Sequence, residues 1–351
     1  MWKNSDLRTY VFIFNVARGL SIFIRTGLNL GIIYDCGSSE DFSPTSFIKE
    51  NLLNGLDKYE EKYIAQLVLS HPHADHISEI QSFLDKALLS PALVTCPHDK
   101  DCVPPEALDW SLITNDDDML IDTYKKLYEK RNLPLQTINY AGSRSIPNLE
   151  YGLYYIKPPV IKNNIHSSAQ DYSNAVSLIF YLRHGKNSIL IPGDITPQTF
   201  KYILEQQPGT EKRYSRLEAY KNKENWPKET DDQPSLLSLI KQGLSVLVAP
   251  HHGLESSYSE EFYNVCKDNL PKLVVISDKR HTGKNDGNIS KIYQTEAGSQ
   301  GVDVIRNNKT EFRHSVSTRN DDHILIVFDG NSLFKTYLEK DPQDLLKHIS
   351  Q

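Results

Sequence analysis

The chain has 351 residues, with 39 Lys plus Arg against 45 Asp plus Glu, a net charge of −6, and 39% hydrophobic and 24% charged residues. That length allows one large domain or two ordinary ones, and the composition excludes a disordered chain. The charge balance excludes a general basic coat for nucleic acid and leaves room only for a local basic groove.

The N-terminal MWKNSDLRTY has no apolar stretch after a basic start, and no apolar run approaches the ~20 residues of a membrane helix. The four cysteines, Cys36, Cys96, Cys102 and Cys266, are too few for a disulfide scaffold. These features predict a cytoplasmic protein without membrane contact. Cys96 and Cys102 flank His98, but one C-x5-C without a second pair is a poor zinc signature.

In chain order, YVFIFNV, LSIFIRT and LGIIYDCG read as strands separated by Gly-containing turns, and 45–60 as a helix. YIAQLVLS is an almost continuous apolar run, as in a strand buried on both faces. It ends at His71-Pro72-His73-Ala74-Asp75-His76, and Ile77, Ile80, Phe83, Leu84 and Leu88 then follow at helical spacing. ALVTC reads as a strand and MLIDTYKKLYEKRN as a helix, while AVSLIFYLRH and NSILIPGD form a hairpin turning at Gly185-Lys186. Residues 205–235 are dense in both charge signs and read as a solvent-facing insertion. Strand character resumes at LSVLVAP, KLVVIS, VDVIR and HILIVFDG. The pattern predicts a mixed α/β fold with polar clusters just after strand ends, where ligands sit in layered α/β proteins.

Three imidazoles and a carboxylate within six positions form a ligand set suited to zinc and similar divalent ions. His71 and His73 are two apart, so an extended stretch points both to one side. Asp75 and His76 fall where the chain turns into a helix and can serve a second centre. Two distant segments can complete the site, both after apolar strands. Asp194 in LIPGDIT can bridge two cations, and His251 and His252 in LVAPHHG stand beside Gly253.

HPHADH resembles the H-x-H-x-D-H signature of the metallo-β-lactamase superfamily. The order strand–HPHADH–helix, then PGD, then APHHG, is similar to the hydrolase domain of the DNA-uptake protein ComEC and its free-standing relatives. FNVARGLSIFIRT…IIYDCG and NAVSLIFYLRHGKNSILIPGD resemble that group's opening and its later hairpin. The likeness spans about residues 8 to 295.

The resemblance implies a four-layer αββα sandwich over 1–330, with insertions near 97–150 and 205–235 and a helical extension over 331–351. It implies two divalent ions, Zn²⁺ or Mn²⁺. His71 and His73 would hold one, Asp75 and His76 the other, with Asp194 bridging. One of His251 and His252 would complete the second ion's set; the favoured arrangement makes His251 the ligand and His252 its support or a proton donor. Asp35, at the end of an early strand, would orient the ligands. A further His that many members use for the first ion is replaced here by a region where Asp171 is a candidate. Asn174, Arg18 and Lys279 are candidate substrate contacts, and His281 a candidate phosphate contact or proton donor. Ala17, Arg18 and Leu20 stand where the ComEC-like pattern has Gly, Gln and Asp.

Two divalent ions ~3.5–4 Å apart lower the pKa of bound water towards ~7 and so supply a hydroxide nucleophile. A bridging carboxylate points to phosphodiester rather than antibiotic hydrolysis. The resemblance therefore implies a nuclease acting on DNA or RNA. Alternatives are a small or cyclic nucleotide phosphodiesterase, and a metal-containing subunit with partner proteins in a bacterial defence operon, where free-standing relatives often occur.

Overall fold

The computed structural model describes residues 7–26, 31–53, 64–84, 89, 91–97, 108–113, 118–130, 149–156, 158–165, 169–205, 235–278, 289–331 and 333–349. In chain order the strands are β1 (Thr9–Ile13), β2 (Ser21–Arg25), β3 (Gly31–Cys36), β4 (Ile64–Val68), β5 (Pro91–Thr95), β6 (Leu149–Tyr154), β7 (Ile179–His184) and β8 (Asn187–Ile191). They continue with β9 (Val246–Val248), β10 (Leu273–Ile276), β11 (Val302–Arg306), β12 (Lys309–Arg313), β13 (Ser315–Ser317), β14 (His323–Phe328) and β15 (Phe334–Glu339).

Alternation along these strands builds two buried surfaces, because successive side chains in a strand point to opposite faces. Val11 and Ile13 of β1 share a cluster with Phe180 and Leu182 of β7, Ile189 and Ile191 of β8, and Val246 and Val248 of β9. Their neighbours Tyr10 and Phe12, Ile179 and Tyr181, Leu190 and Leu247 belong to a second cluster that also takes in the helices. The helical members of that second cluster include Phe47, Ile48, Ile77, Tyr124, Phe200, Ile203, Leu239 and Phe262.

The first sheet has the order β12-β11-β15-β14-β1-β2-β3-β4-β5, the second β13-β10-β9-β8-β7-β6. Within them β3, β4 and β5 are parallel, as are β8, β9, β10 and β13. The C-terminal ends of each parallel group therefore lie side by side, the usual place for a site in such sheets. Between the sheets Gln66 on β4 donates to Thr95 Oγ1 (2.8 Å) and accepts from the Tyr151 hydroxyl of β6 (2.9 Å). A buried amide is thereby satisfied from both sides.

The mixed α/β architecture agrees with the sequence pattern, and most expected strands fall where the apolar runs lie. Three expectations differ. The extension after 331 opens with strand β15, which pairs with β14 and β11, and helix begins only at Pro342. After the ligand segment the chain makes two short helical turns, Ala74–Ile77 and Ile80–Phe83, instead of one helix. Strands β6, β12 and β13 were not foreseen. The helix expected over 45–60 is seen from Pro44 to Leu52. Residues 54–63 and 206–234, with most of 97–150 beyond the Asp118–Lys130 helix, lie outside the described residues. None of the described helices is long and apolar enough to cross a membrane.

Candidate metal centre

Four strand ends converge on one carboxylate. Asp35 ends β3, His71 and His76 follow β4, Asp194 follows β8, and His251 and His252 follow β9. Asp194 Oδ1 lies 3.2 Å from His76 Nε2, and its Oδ2 lies 3.9, 3.6 and 3.5 Å from the Nε2 atoms of His71, His251 and His252. Asp75 Oδ2 is 3.3 Å from His252 Nε2. Two groups have ligand atoms within 4.8 Å of one another: His71, His76 and Asp194, and Asp75, His76 and His252. These buried His and Asp groups could hold a metal ion.

The outer nitrogens fix how each imidazole faces the centre. The Ser70 hydroxyl donates to Asp35 Oδ2 (2.6 Å), so at His71 Nδ1 (2.9 Å) it must accept. His76 Nδ1 donates to Asp35 Oδ2 (2.7 Å), and His252 Nδ1 to the Ser277 carbonyl (2.9 Å). With Nδ1 carrying the proton, each Nε2 presents a lone pair inward, the tautomer a metal ligand needs. The three Nε2 atoms are buried and meet the geometry of a hydrogen bond with no partner among the described residues. Buried polar atoms are seldom left so, and three lone pairs converging beside a carboxylate are a donor set that fits a divalent cation.

The electrostatic settings of the imidazoles differ. Burial holds His71 well below its ordinary range and lowers His73. Burial works against the charges of Asp194 and Asp75, yet contacts with His76, His252 and, for Asp194, His251 keep both carboxyls low. Burial also opposes protonation of His76 and His252, but Asp194, with Asp35 and Asp75 respectively, raises both. A cation binding here would displace those protons. Asp35 is raised by burial, with His76 and Ser70 pulling the other way.

Backbone geometry sets how deeply each His of the PHHG segment is buried. His251 and His252 both have left-handed φ, 47° and 58°, followed by Gly253 at 76°. Each non-Gly residue held there costs of order 1–3 kcal/mol. The His251 amide donates to the Gly193 carbonyl (3.0 Å), and Ser257 Oγ donates to the Pro250 carbonyl (2.8 Å). The result turns His252 inward, 3% exposed, while the His251 side chain stays 26% exposed. His252 thus joins Asp75 and His76, while His251, the favoured ligand of the pair, keeps its Nε2 3.6 Å from Asp194 Oδ2.

His73 lies against His71, ring centroids 4.6 Å apart, outside both ligand groups. Asp171 is exposed and joins neither group. Asn174 is half-buried, with a buried Oδ1 that makes no hydrogen bond. Arg18 is half-buried and makes no hydrogen bond or ion pair among the described residues. Burial chiefly lowers His251, and the charge of Arg18 adds to that. Lys279 and His281 lie outside the described residues.

Sequence reading missed three supports. Ser70 links Asp35 to His71. Ser277 takes the His252 proton on its carbonyl and donates its hydroxyl to the Gly19 carbonyl (2.6 Å). Gly19, at φ 131°, touches the ligand loop so closely that a Cβ would stand 2.2 Å from the Asp75 carbonyl oxygen. The serines next to strand ends were visible, but a carbonyl acceptor leaves no mark of residue type.

The chain matches no family model and no curated protein.

Proposed function

We propose that the chain is a metallo-β-lactamase-type hydrolase of phosphodiesters, built as a four-layer αββα sandwich and most active on DNA or RNA. The observation that supports this reading is the convergence of the buried Nε2 atoms of His71, His76 and His252 on Asp194, with Arg18, which has no ion pair among the described residues, contributing its charge at the 26% exposed His251. His71, His73 and Asp194 would hold one divalent ion. Asp75, His76 and His252 would hold the other, with Asp194 shared. Bound Zn²⁺ or Mn²⁺ supplies Lewis acidity and acidifies water at neutral pH.

The protein's own residues do the rest. Asp35 and Ser70 hold His71 and His76 in the ligand tautomer, and the Ser277 carbonyl does the same for His252. Arg18 offers charge-assisted hydrogen bonds to a phosphoryl oxygen, a contact that favours an anionic substrate over a neutral amide.

Purified protein is expected to cleave linear DNA or RNA with Mn²⁺ or Zn²⁺, and Asp75→Ala to lower the rate at least a hundredfold. A panel with cyclic nucleotides separates the polymer reading from the small-substrate one. Equal turnover by wild type and Asp75→Ala would overturn the hydrolase assignment.

A further inference from the structure

An open cavity of about 580 Å³ lies between the Trp110–Leu112 turn, the 161–165 segment and the Ala169–Ala175 helix. Its walls include Asp109, Trp110, Ser111, Lys162, Asn163 and Tyr172. The volume falls in the ~300–1,000 Å³ range of small-molecule sites.

Two connections tie this cavity to the ligand loop. Tyr172 leads through the end of its helix to Leu178, whose amide donates to the Ser70 carbonyl (3.1 Å). Those six residues, half helical and half extended, span at most about 15 Å. On the other side, Trp110 packs edge-on against Tyr124 and Tyr128 of the Asp118–Lys130 helix. That helix is joined to the turn after the ligand segment by Thr123 Oγ1 donating to Gln81 Oε1 (3.0 Å).

The chemistry of the walls suits a flat heterocycle. Trp110 gives aromatic surface and is fixed by its two tyrosine neighbours, while Tyr172 is 1% exposed and can meet a ligand only at its hydroxyl edge. The Tyr172 hydroxyl accepts the Asp109 amide (3.1 Å) and donates to no acceptor among the described residues, so its proton is free for a ligand. Asn163 is exposed on the wall and offers both an amide donor and an acceptor. Lys162 pairs with Asp109 across the opening and can also meet a phosphate.

We propose that this cavity is a nucleobase subsite, holding the base of a nucleotide next to the phosphodiester at the metal centre. Trp110 would be its aromatic contact, with Asn163 and Tyr172 reading the ring's polar edge. The inference rests on the phosphodiesterase reading for its placement, but its test does not depend on turnover.

The experiment compares adenosine 5′-monophosphate, ribose 5-phosphate and inorganic phosphate by calorimetry on the full chain. The base should tighten binding on the order of tenfold over ribose 5-phosphate, the scale of one base–aromatic contact. Trp110→Ala should erase that preference and leave phosphate binding unchanged. Should Trp110→Ala fail to fold, tryptophan emission decides. The nucleotide should quench wild-type fluorescence, ribose 5-phosphate should not, and Trp110→Phe should lose the base-specific quenching. Equal affinity for nucleotide and ribose 5-phosphate, a preference that survives Trp110→Ala, or quenching unchanged in Trp110→Phe would each overturn the subsite. Cleavage of bis(p-nitrophenyl) phosphate without base preference would remove the subsite and leave the hydrolase reading standing. Base preference without any turnover would do the reverse.

Discussion

At the residue scale, the environment of each imidazole sets its task. His76 and His323 are both buried, yet they are driven in opposite directions. His76 faces Asp35 and Asp194 and is raised. His323 sits 4.7 Å from the Phe42 ring, accepts the Asn15 amide on Nδ1 (3.2 Å), and is pushed by burial from 6.5 down to about 4, with Asp341 opposing weakly. A folded-state His with a lowered pKa stays neutral while the unfolded chain takes up a proton. Its contribution is therefore complete above pH 6.5 and is lost as the pH falls towards 4. The loss reaches about 3 kcal/mol at the lower end, at 1.36 kcal/mol per unit. Urea denaturation of wild type and His323→Gln across pH 4–7 checks this: the variant should show a flatter profile. An unchanged slope would mean that other groups carry the acid sensitivity.

At the element scale, the loops after the strands do the positioning, and they depend on one another. The 17–20 turn packs on Asp75, Ser277 anchors that turn, and the same Ser277 orients His252. Gly19→Ala must push the Asp75 backbone aside and place Ala at φ 131°. The expected result is at least a tenfold weaker affinity for Zn²⁺ or Mn²⁺ and a stability loss of about 2–4 kcal/mol. Calorimetric titration with the metal reads the first and denaturant unfolding the second. Wild-type metal affinity in the variant would show that Asp75 does not depend on this turn.

The legibility of these elements in the sequence follows from the same physics. HPHADH was readable because its ligands are consecutive and follow a doubly buried strand. Asp194 and the His pair were readable from the apolar runs before them. The choice between His251 and His252 was not, because it turns on two left-handed φ angles in succession. Strand β12 was hidden by its alternating charges, although Asn307 and Asn308, at φ 50° and 59°, form a tight turn of the kind that such pairs favour in hairpins. FKTYLE at 334–339 has mixed local preference, and pairing on both sides makes it a strand.

At the scale of the whole molecule, the candidate centre draws on both sheets. His71 and His76 follow a strand of the first and Asp194 and His252 strands of the second, so a cation bound by them would link the two. Such a ligand stabilises by about 4 kcal/mol at 1,000 times its Kd, a rise in melting temperature on the order of 5 °C. Zn²⁺ or Mn²⁺ should produce that shift, EDTA should reverse it, and Asp194→Asn should abolish it. A melting temperature indifferent to both metals and to EDTA would argue against a cation joining the sheets.

The pairing of β1 with β14, from Thr9↔Phe328 to Ile13↔Ile324, has a consequence for the order of assembly. The first sheet's interior is completed by residues more than 300 positions apart in sequence. Contacts of such separation form late, after most loop-closure entropy has been lost. Every candidate ligand, from His71 to His252, is synthesised before β14, the later of the two strands that pair with β1. The HPHADH segment can meet a cation early, but Asp194 and His252 gain their positions only as the sheets close. Capture of metal by the full ligand set thus becomes a report that the chain has finished folding.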